Sequence, residues 1–395
     1  MKIALCDYFI DDSNAMGALN RDIIAALCDE HQFVLFTHRL DPRLVSPNIR
    51  WIKLPLLARR PLFLLFLGFH LMALLYWYGV ARGARRDCRI VQGVESGILF
   101  SQLIFTHFCH RHFLHQHWRE CNRGIRGLRY YFRWFDHYLR ASLELWVYRR
   151  ARWVVAGSEG LKKELVGAYP YLRDKVQVIS SPVDIERYRQ PAEFDVSEFR
   201  SYLKLDPQAV ILAFMALGQF ERKGLPLLMD AMQSLTARPR ERTLDRLKIL
   251  VVGGEPDLIR SYQKKCAAMG LGDWFHFVGT QKDFRPYIWA TDALILPSYY
   301  EVFPTMAIAA SAASKPLLST ALNGVEDYLV DGWNGLLMVR TSNGIAAAIQ
   351  RFLNLSPMDR QTMGEHARES MAPYSMANFS RRWHELYARI ERGQA

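Results

Sequence analysis

The residues that point most directly to chemistry lie in the region 277–338. There an apolar strand ends at Pro297-Ser298, a short loop carries Glu301, and a helix is predicted to begin near Pro304, because proline suits a first helical turn. The free N–H groups and the positive dipole end of a helix N-terminus attract anions such as a diphosphate. A carboxylate beside that anion, Glu301, can accept hydrogen bonds from the hydroxyl groups of a polyol. The spacing therefore predicts a site for an anionic, hydroxyl-rich ligand.

A second candidate site is the loop Gly218–Gly224, which follows an apolar strand and precedes a helical pattern. It contains adjacent cationic residues, Arg222 and Lys223, between two glycines. A guanidinium and an ammonium group at such a turn have the charge and reach to bind a diphosphate.

These sites must be positioned by alternating strands and helices, which predict parallel α/β sheets. The alternation stops in a polar stretch around 187–207 and then begins again. The charge changes at the same place, since residues 1–195 have a net charge of +9 and residues 196–395 have +3, of the total of +12. A chain of 395 residues also exceeds the ~250–300 residues that one core usually serves. We predict an N-terminal domain at 1–195, a second domain at 196–372, and a terminal helix at 373–395 that crosses back to the first domain.

Composition excludes several classes of protein. Half of the residues are apolar and 13% are aromatic, which excludes a disordered chain. The six cysteines are scattered, which favours free thiols in a reducing compartment over a disulfide framework or a zinc site. The N-terminus shows no signal-peptide pattern, so we expect a cytoplasmic protein.

The excess positive charge predicts an anionic partner, which could be a membrane surface, a phosphorylated substrate or nucleic acid. Ten arginines between Arg111 and Arg152 alternate with aromatic residues, as suits a lipid headgroup region, although a core helix with a solvated basic face fits as well. The uncharged segment 61–81 is long enough to span a membrane. A span would divide the strands of the first sheet between two sides, so we expect a buried or interfacial helix. We predict peripheral contact with the inner face of the cytoplasmic membrane and no nucleic acid, for which no recognition motif is found.

The order of the motifs resembles glycosyltransferase family 4, whose members are retaining enzymes that use nucleotide-diphosphate sugars. The resemblance is densest between residues 150 and 340. It is carried by the following segments: Gly157–Glu159, Ser181–Asp184, Gly218–Gly224, Val252–Pro256, Phe277–Gly279, Pro297–Pro304, Lys315-Pro316, Gly324–Glu326 and Asp331–Gly335. The resemblance implies a GT-B fold, in which two Rossmann-like parallel-sheet domains face each other across a cleft.

The resemblance also implies roles for individual residues. Glu301, Arg222, Lys223 and His110 would be catalytic, and His107 would lie on the acceptor side. Of the pair in Thr106–His110, we favour His110 as the one beside the transferring sugar, while both could instead be core histidines. Donor binding would involve a glycine loop in the first domain, a strand end that holds the base through its backbone, and the loop around Glu301. These residues are Gly17, Gly218, Gly254, Val278, Val302, Phe303 and Pro304.

Two departures from the family pattern stand out. The second glutamate of the family's Glu-x7-Glu motif is replaced by Ala309, which should weaken donor binding by about 1.5–3 kcal/mol if nothing replaces it. Gln219 stands where a basic residue is common, and Arg222 could compensate.

The resemblance implies a retaining glycosyltransferase that moves a hexose-type sugar to an anionic glycan or lipid-linked acceptor, in cell-envelope polysaccharide or glycolipid synthesis. No Asp-x-Asp cluster is present, so we expect no metal and no cofactor besides the donor substrate. A catalytically silent, membrane-associated partner of another glycosyltransferase is the main alternative. A nucleotide-sugar epimerase, a phosphorylase-like enzyme and a nucleic-acid binder are further ones.

Overall fold

The structure is a computed structural model that describes residues 1–57, 60–80, 82–237 and 242–393. The chain divides into two compact units. The first contains Met1–Trp118, Ile125–Ser181 and the chain from Met376 onwards, and the second contains Arg119–Gly124 and Pro182–Ser375. The first unit thus gives way to the second at Ser181, rather than at 195.

The first unit is built on a seven-stranded sheet in which every pair of neighbouring strands is parallel. The strand order is β5-β3-β1-β6-β7-β8-β9. A separate two-stranded sheet pairs β2 with β4. The strands are β1 (Lys2–Cys6), β2 (Phe9–Ile10), β3 (Gln32–Thr37), β4 (Arg39–Leu40), β5 (Ile49–Lys53), β6 (Ile90–Val94), β7 (Leu103–Thr106), β8 (Trp153–Ala156) and β9 (Val176–Val178).

Helices cover this sheet because the connections between parallel strands cross over its faces. They are α1 (Ala15–Leu27), α2 (Leu62–Leu75), α3 (Arg82–Asp87), α4 (His110–Gln116), α5 (Trp118–Cys121), α6 (Leu128–Arg150) and α7 (Glu159–Ala168), with a π-helical turn at Tyr76–Val80 and a 3₁₀ turn at Pro170–Leu172. Each of the central strands β1, β6 and β7 is almost wholly buried and apolar, as a sheet covered on both faces requires.

The uncharged segment 61–81 forms α2 and the π-helical turn, except for Ala81, which lies outside the described residues. Among the described residues, Leu62–Gly79 is the one helical stretch apolar and long enough to cross a membrane, judged by length and composition only. Phe69 and Ala73 pack in a core cluster with Ala4 of β1 and Val34 of β3. One face of α2 therefore covers the first sheet.

The second unit contains a six-stranded parallel sheet with the order β12-β11-β10-β13-β14-β15, the doubly wound order of a Rossmann fold. Its strands are β10 (Val210–Met215), β11 (Leu247–Val252), β12 (Phe275–Gly279), β13 (Ala293–Leu296), β14 (Leu317–Thr320) and β15 (Gly335–Met338). Its helices are α8 (Val196–Tyr202), α9 (Leu225–Thr236), α10 (Arg242–Asp245), α11 (Pro256–Ala268), α12 (Arg285–Trp289), α13 (Thr305–Ala312), α14 (Ser342–Leu353) and α15 (Pro357–Glu369), with 3₁₀ turns at Glu186–Tyr188 and Ala372–Tyr374.

The last helix, α16 (Met376–Glu391), belongs to the first unit. Its apolar face packs against α1 and the first sheet, since Trp383 and Leu386 are fully buried in one cluster with Ile3 and Ile24. The hydroxyl of Tyr387 donates a hydrogen bond to Gln92 Oε1 of β6, at 2.6 Å.

Candidate active site

The site in the second unit is organised by the loop between β10 and α9. Gly224 has a φ of 82°, and a Cβ atom there would lie 2.0 Å from the carbonyl oxygen of Pro297. Only glycine fits at this position. Its close approach brings the predicted pair Arg222 and Lys223 next to the loop that follows β13, and the backbone N–H of Tyr299 donates to the Arg222 carbonyl at 2.9 Å.

Glu301, Arg222 and Lys223 form one ion cluster. Glu301 Oε1 lies 3.3 Å from Arg222 Nη1 and pairs with Lys223 Nζ, and the carboxylate is buried. Arg222 also donates from Nη1 to the carbonyl of Tyr300 at 2.6 Å and from Nε to Gln219 Oε1 at 2.8 Å. Gln219, which departs from the family pattern, thus holds the guanidinium in place. Two cations share one carboxylate, so the cluster carries one uncompensated positive charge for an anion to bind.

The helix that follows Glu301 begins as predicted after Pro304, which is its N-cap. No side chain of the described residues caps this helix, so its first turn presents backbone N–H groups. Val302 is half-buried, and Phe303 is buried in a small core cluster with Val183 and Tyr374. The Phe303 ring is therefore packed in the core of the second unit, and its contact with the donor stays a prediction.

A cavity of about 660 Å³ lies against the cationic loop and the first turn of α13. Its size suits a small-molecule ligand. The residues that line it are Tyr188, Met215, Ala216, Leu217, Gly218, Gln219, Arg222, Lys223, Val252, Gly253, Gln281, Phe284, Thr305 and Met306. Gly218, Arg222 and Lys223 were predicted as site residues. Tyr188, Gln281 and Phe284 were not, because they lie in short turns and loops that carry no motif.

Among the predicted donor residues, Gly254 and Val278 do not line this cavity. Gly253 lines the cavity instead of Gly254, whose missing Cβ makes room for the Phe220 ring, 2.7 Å from where that Cβ would be. Val278 contributes its backbone carbonyl, which accepts a hydrogen bond from Gln281 Nε2 at 2.6 Å. A base bound there through the backbone would have to share or replace this bond.

In the first unit, His110 starts α4 and lies in a buried polar network. Its Nδ1 is 3.0 Å from Nδ1 of His137, and its Nε2 is 3.6 Å from Glu95 Oε2. Its backbone N–H donates to Glu144 Oε1 at 2.7 Å. Burial holds the pKa of His137 well below its usual value.

His107 has a different environment. Its Nε2 is 3.1 Å from Ser181 Oγ, and Gly157 lacks a Cβ that would otherwise strike the ring at 2.6 Å. Burial lowers the pKa of His107 to about 4, although the charge of Glu95 opposes the shift. His107 is thus a neutral, tightly packed histidine, and His110 has the better-connected ring.

Glu95 was missed by the sequence analysis. It follows β6 directly and has a φ of 50°, a left-handed conformation that costs energy for a side chain with a Cβ. Burial alone would raise its pKa, but the hydrogen bond and charge of His110, together with the charge of Arg140, hold the pKa below its usual value. An acidic residue directly after a buried apolar strand was the signal that could have found it.

Asp7 follows β1 at the same sheet edge. Its carboxylate accepts hydrogen bonds from Asn20 Nδ2 at 2.8 Å and from the N–H of Tyr8 at 2.7 Å, yet burial raises its pKa to about 7. The predicted donor residue Gly17 lies in the first turn of α1, where its backbone N–H donates to Asn14 Oδ1 at 2.8 Å, and its contact with the donor phosphates stays a prediction.

The family comparisons agree with this architecture. A model described as "Glycosyltransferase Family 4" matches residues 17–187, and one described as "Glycosyl transferases group 1" matches residues 209–355. Among curated proteins, the D-inositol 3-phosphate glycosyltransferase 2 of Catenulispora acidiphila is 27% identical over 246 residues, covering 60% of this chain and 56% of that protein. The corresponding protein of Frankia alni is 30% identical over 202 residues and 47% of each chain. The chain spans about half the length of the curated relatives it matches.

Solved structures show the same fold along the whole chain. The sucrose-phosphate synthase of Thermosynechococcus elongatus superposes with a TM-score of 0.74 at 20% identity, covering 100% of both chains. WaaG, a glycosyltransferase involved in lipopolysaccharide biosynthesis, gives 0.73 at 16% identity, covering 97% of this chain and 99% of that one. The Anabaena protein HepE in complex with UDP and glucose gives 0.69 at 17% identity, covering 98% and 99%.

Two Rossmann-like units with parallel sheets and these structural neighbours define a protein of the GT-B class. The matching family models, read with the motif order, take the assignment further: the chain belongs to glycosyltransferase family 4.

Proposed function

We propose that the protein transfers a sugar from a nucleotide-diphosphate donor to a glycan or lipid-linked acceptor, with retention at the anomeric carbon and without a metal ion. The observation that supports this best is the Glu301–Arg222–Lys223 cluster beside the cavity and the uncapped start of α13. It combines two cations and a helix N-terminus for a diphosphate with one carboxylate for sugar hydroxyls.

In the proposed reaction, the donor diphosphate takes the place of Glu301 as partner of Arg222 and Lys223. The glycosidic bond to the diphosphate breaks while its negative charge grows, and the two cations stabilise that charge most in the transition state. The acceptor hydroxyl attacks the anomeric carbon on the same face, and its proton passes to the departing phosphate oxygen. Glu301, released from the cations, accepts hydrogen bonds from the sugar.

The test begins with a thermal-shift screen against UDP-, GDP- and ADP-sugars, followed by product analysis. UDP-glucose comes first because HepE was solved with UDP and glucose, and a phosphorylated polyol joins the acceptor panel because relatives are named inositol 3-phosphate glycosyltransferases. Transfer should persist in EDTA. Loss of transfer in EDTA with recovery in Mg²⁺ would refute the metal-free mechanism, and nucleotide binding without any transfer would favour the silent-partner alternative.

We also propose that the first unit binds anionic membranes at an apolar surface made by α2 and α6. Phe63 of α2 contacts Phe132 and Phe135 of α6, with ring centroids 6.2 and 5.3 Å apart, so the exposed side chains of both helices adjoin. The exposed apolar residues of this surface are Leu62, Leu64, Leu67, Leu71, Leu75, Leu128, Tyr131, Phe132, Trp134, Phe135, Tyr138 and Trp146. Exposed Arg126 and Arg129 at the start of α6 supply positive charge for anionic headgroups.

Vesicle sedimentation tests the membrane proposal. Leu71→Glu should reduce binding to anionic vesicles about tenfold or more, because it removes a leucine from the lipid and adds a charge. Val45→Glu is the matched control, since Val45 is 87% exposed and lies outside this surface. Equal binding by the Leu71→Glu variant and the control would contradict the proposal.

A further inference from the structure

The histidines of this chain are concentrated in one short segment. Five of the twelve lie within residues 107–117, and the site described above uses only His107 and His110. A histidine-rich tract is a common composition for metal binding. The remaining members, His112, His115 and His117, are on α4 or directly after it.

Two of these histidines meet a carboxylate from α7. Ligand atoms of His112, His117 and Glu164 all lie within 4.8 Å of one another, and His112 Nε2 is 3.8 Å from Glu164 Oε1. The two imidazole rings are 5.5 Å apart at their centroids. The side chain of His112 is 28% exposed and that of Glu164 is 10% exposed, so the group is sheltered but open to a water molecule.

We propose that His112, His117 and Glu164 form a binding site for a divalent cation of the zinc type. Two imidazole nitrogens and one carboxylate oxygen, with a water in the fourth position, are a common ligand set for Zn²⁺. Tetrahedral coordination with metal–ligand bonds of 2.0–2.2 Å places the ligand atoms about 3.4 Å apart. Side-chain rotations that move these atoms by about 1 Å would bring the group to that geometry.

Such an ion would join α4 to α7. His112 lies on α4 two residues after His110, and Glu164 lies in the middle of α7, so the ion would fix the helix that begins with His110. This role is structural, and it does not depend on the proposed transfer reaction. The site uses none of the residues assigned to the donor.

Glu30, His31 and His384 form another group with metal-binding side chains. It is less suited to an ion, because His31 Nδ1 is 3.1 Å from the N-terminal amine, whose positive charge repels a cation. Replacing His384 by alanine removes this group, and the measurements are therefore made in the His384→Ala background.

The experiment is a titration of the full chain, stripped of metal by a chelator, with Co²⁺ followed by visible absorption, and then with Zn²⁺ in competition. We expect one strong site whose tetrahedral Co²⁺ bands disappear as Zn²⁺ is added. We expect metal binding to be weakened at least 10–100-fold by each of His112→Ala, His117→Ala and Glu164→Gln. Losses of that size follow even when a residue that only hydrogen-bonds to a metal ligand is replaced. His115→Ala, an exposed histidine on the same helix, should bind as tightly as the parent.

A melting measurement provides the second readout. Zn²⁺ should raise the melting temperature of the parent and of His115→Ala, but not that of His112→Ala or Glu164→Gln. Absence of a strong Co²⁺ site, or equal weakening by His115→Ala, would overturn the proposal. A strong metal site in a protein that transfers no sugar would support this inference and refute the proposed function. Sugar transfer by a protein without a strong metal site would refute this inference and support the proposed function.

Discussion

In the proposed reaction, Glu301 and the donor diphosphate compete for the same two cations, and this competition can be tested by changing Glu301. Glu301 Oε1 lies 3.3 Å from Arg222 Nη1 and is paired with Lys223 Nζ. An incoming diphosphate must displace that carboxylate before it can use both cations. Glu301→Gln keeps the shape of the side chain and removes its charge. We therefore expect this variant to bind a nucleoside diphosphate more tightly while it transfers sugar more slowly.

The size of the effect follows from the contacts. A hydrogen bond to a charged group contributes about 1.5–3 kcal/mol, and the neutral amide keeps only part of it. Relief of one such competing bond corresponds to roughly 10-fold tighter binding of the diphosphate alone. Turnover should fall by about 100-fold or more, because the carboxylate that would accept hydrogen bonds from the sugar in the transition state is lost.

Calorimetry with UDP, GDP and ADP measures the first quantity, and initial rates with the donor identified by the screen measure the second. Glu198→Gln is the matched control, since it removes the same charge from an exposed position on α8 of the same unit. Weaker diphosphate binding in Glu301→Gln than in this control would show that Glu301 supports the anion site instead of competing for it. That result would refute the exchange of partners proposed above.

Three further predictions concern the charge and packing of both units. Lys223→Met should lower kcat about 100–1000-fold through loss of a charge at the leaving group, as measured by initial rates, whereas the exposed Lys282→Met should leave it unchanged. Asp7→Asn should stabilise the fold more as pH rises, because the folded pKa of about 7 lies above the usual 3.8 and the ionised form is disfavoured between these values. In denaturant unfolding, Asp7→Asn should raise the free energy of unfolding by about 2 kcal/mol more at pH 8 than at pH 5.5. An effect of the substitution that does not change with pH would contradict the raised pKa of Asp7. Ala309→Glu should destabilise the fold by at least about 1–3 kcal/mol without restoring donor affinity, since Ala309 is 1% exposed within a core cluster, and the smaller Ala309→Ser is the comparison in the same unfolding assay.

The sequence predicted the second unit better than the first. Strands β10 and β11 are buried on both faces, and the sequence is continuously apolar through most of each of them, which is the pattern that predicts a strand of a parallel sheet. The edge strand β5 was missed because its residues, including Arg50 and Trp51, are mostly exposed and show no apolar run. The cationic loop was predictable because its seven residues, Gly218–Gly224, carry Arg222 and Lys223 between two glycines.

The network around His110 was not predictable in the same way, because its members come from distant segments that only the sheet edge brings together. Glu95 follows β6, His110 follows β7, and His137 and Arg140 lie on α6, and no local motif links these positions. Spacing within one loop specifies a site made of neighbours in sequence, whereas parallel strands assemble residues that are tens of positions apart. Because Ala309 replaces the second carboxylate of the family motif, Glu301 is the one acidic residue of that motif in this chain. In the proposed reaction, Glu301 would then have two tasks, because it pairs with Arg222 and Lys223 and would also bind the sugar. The proposal therefore implies that the charge balance of the site changes when a donor binds.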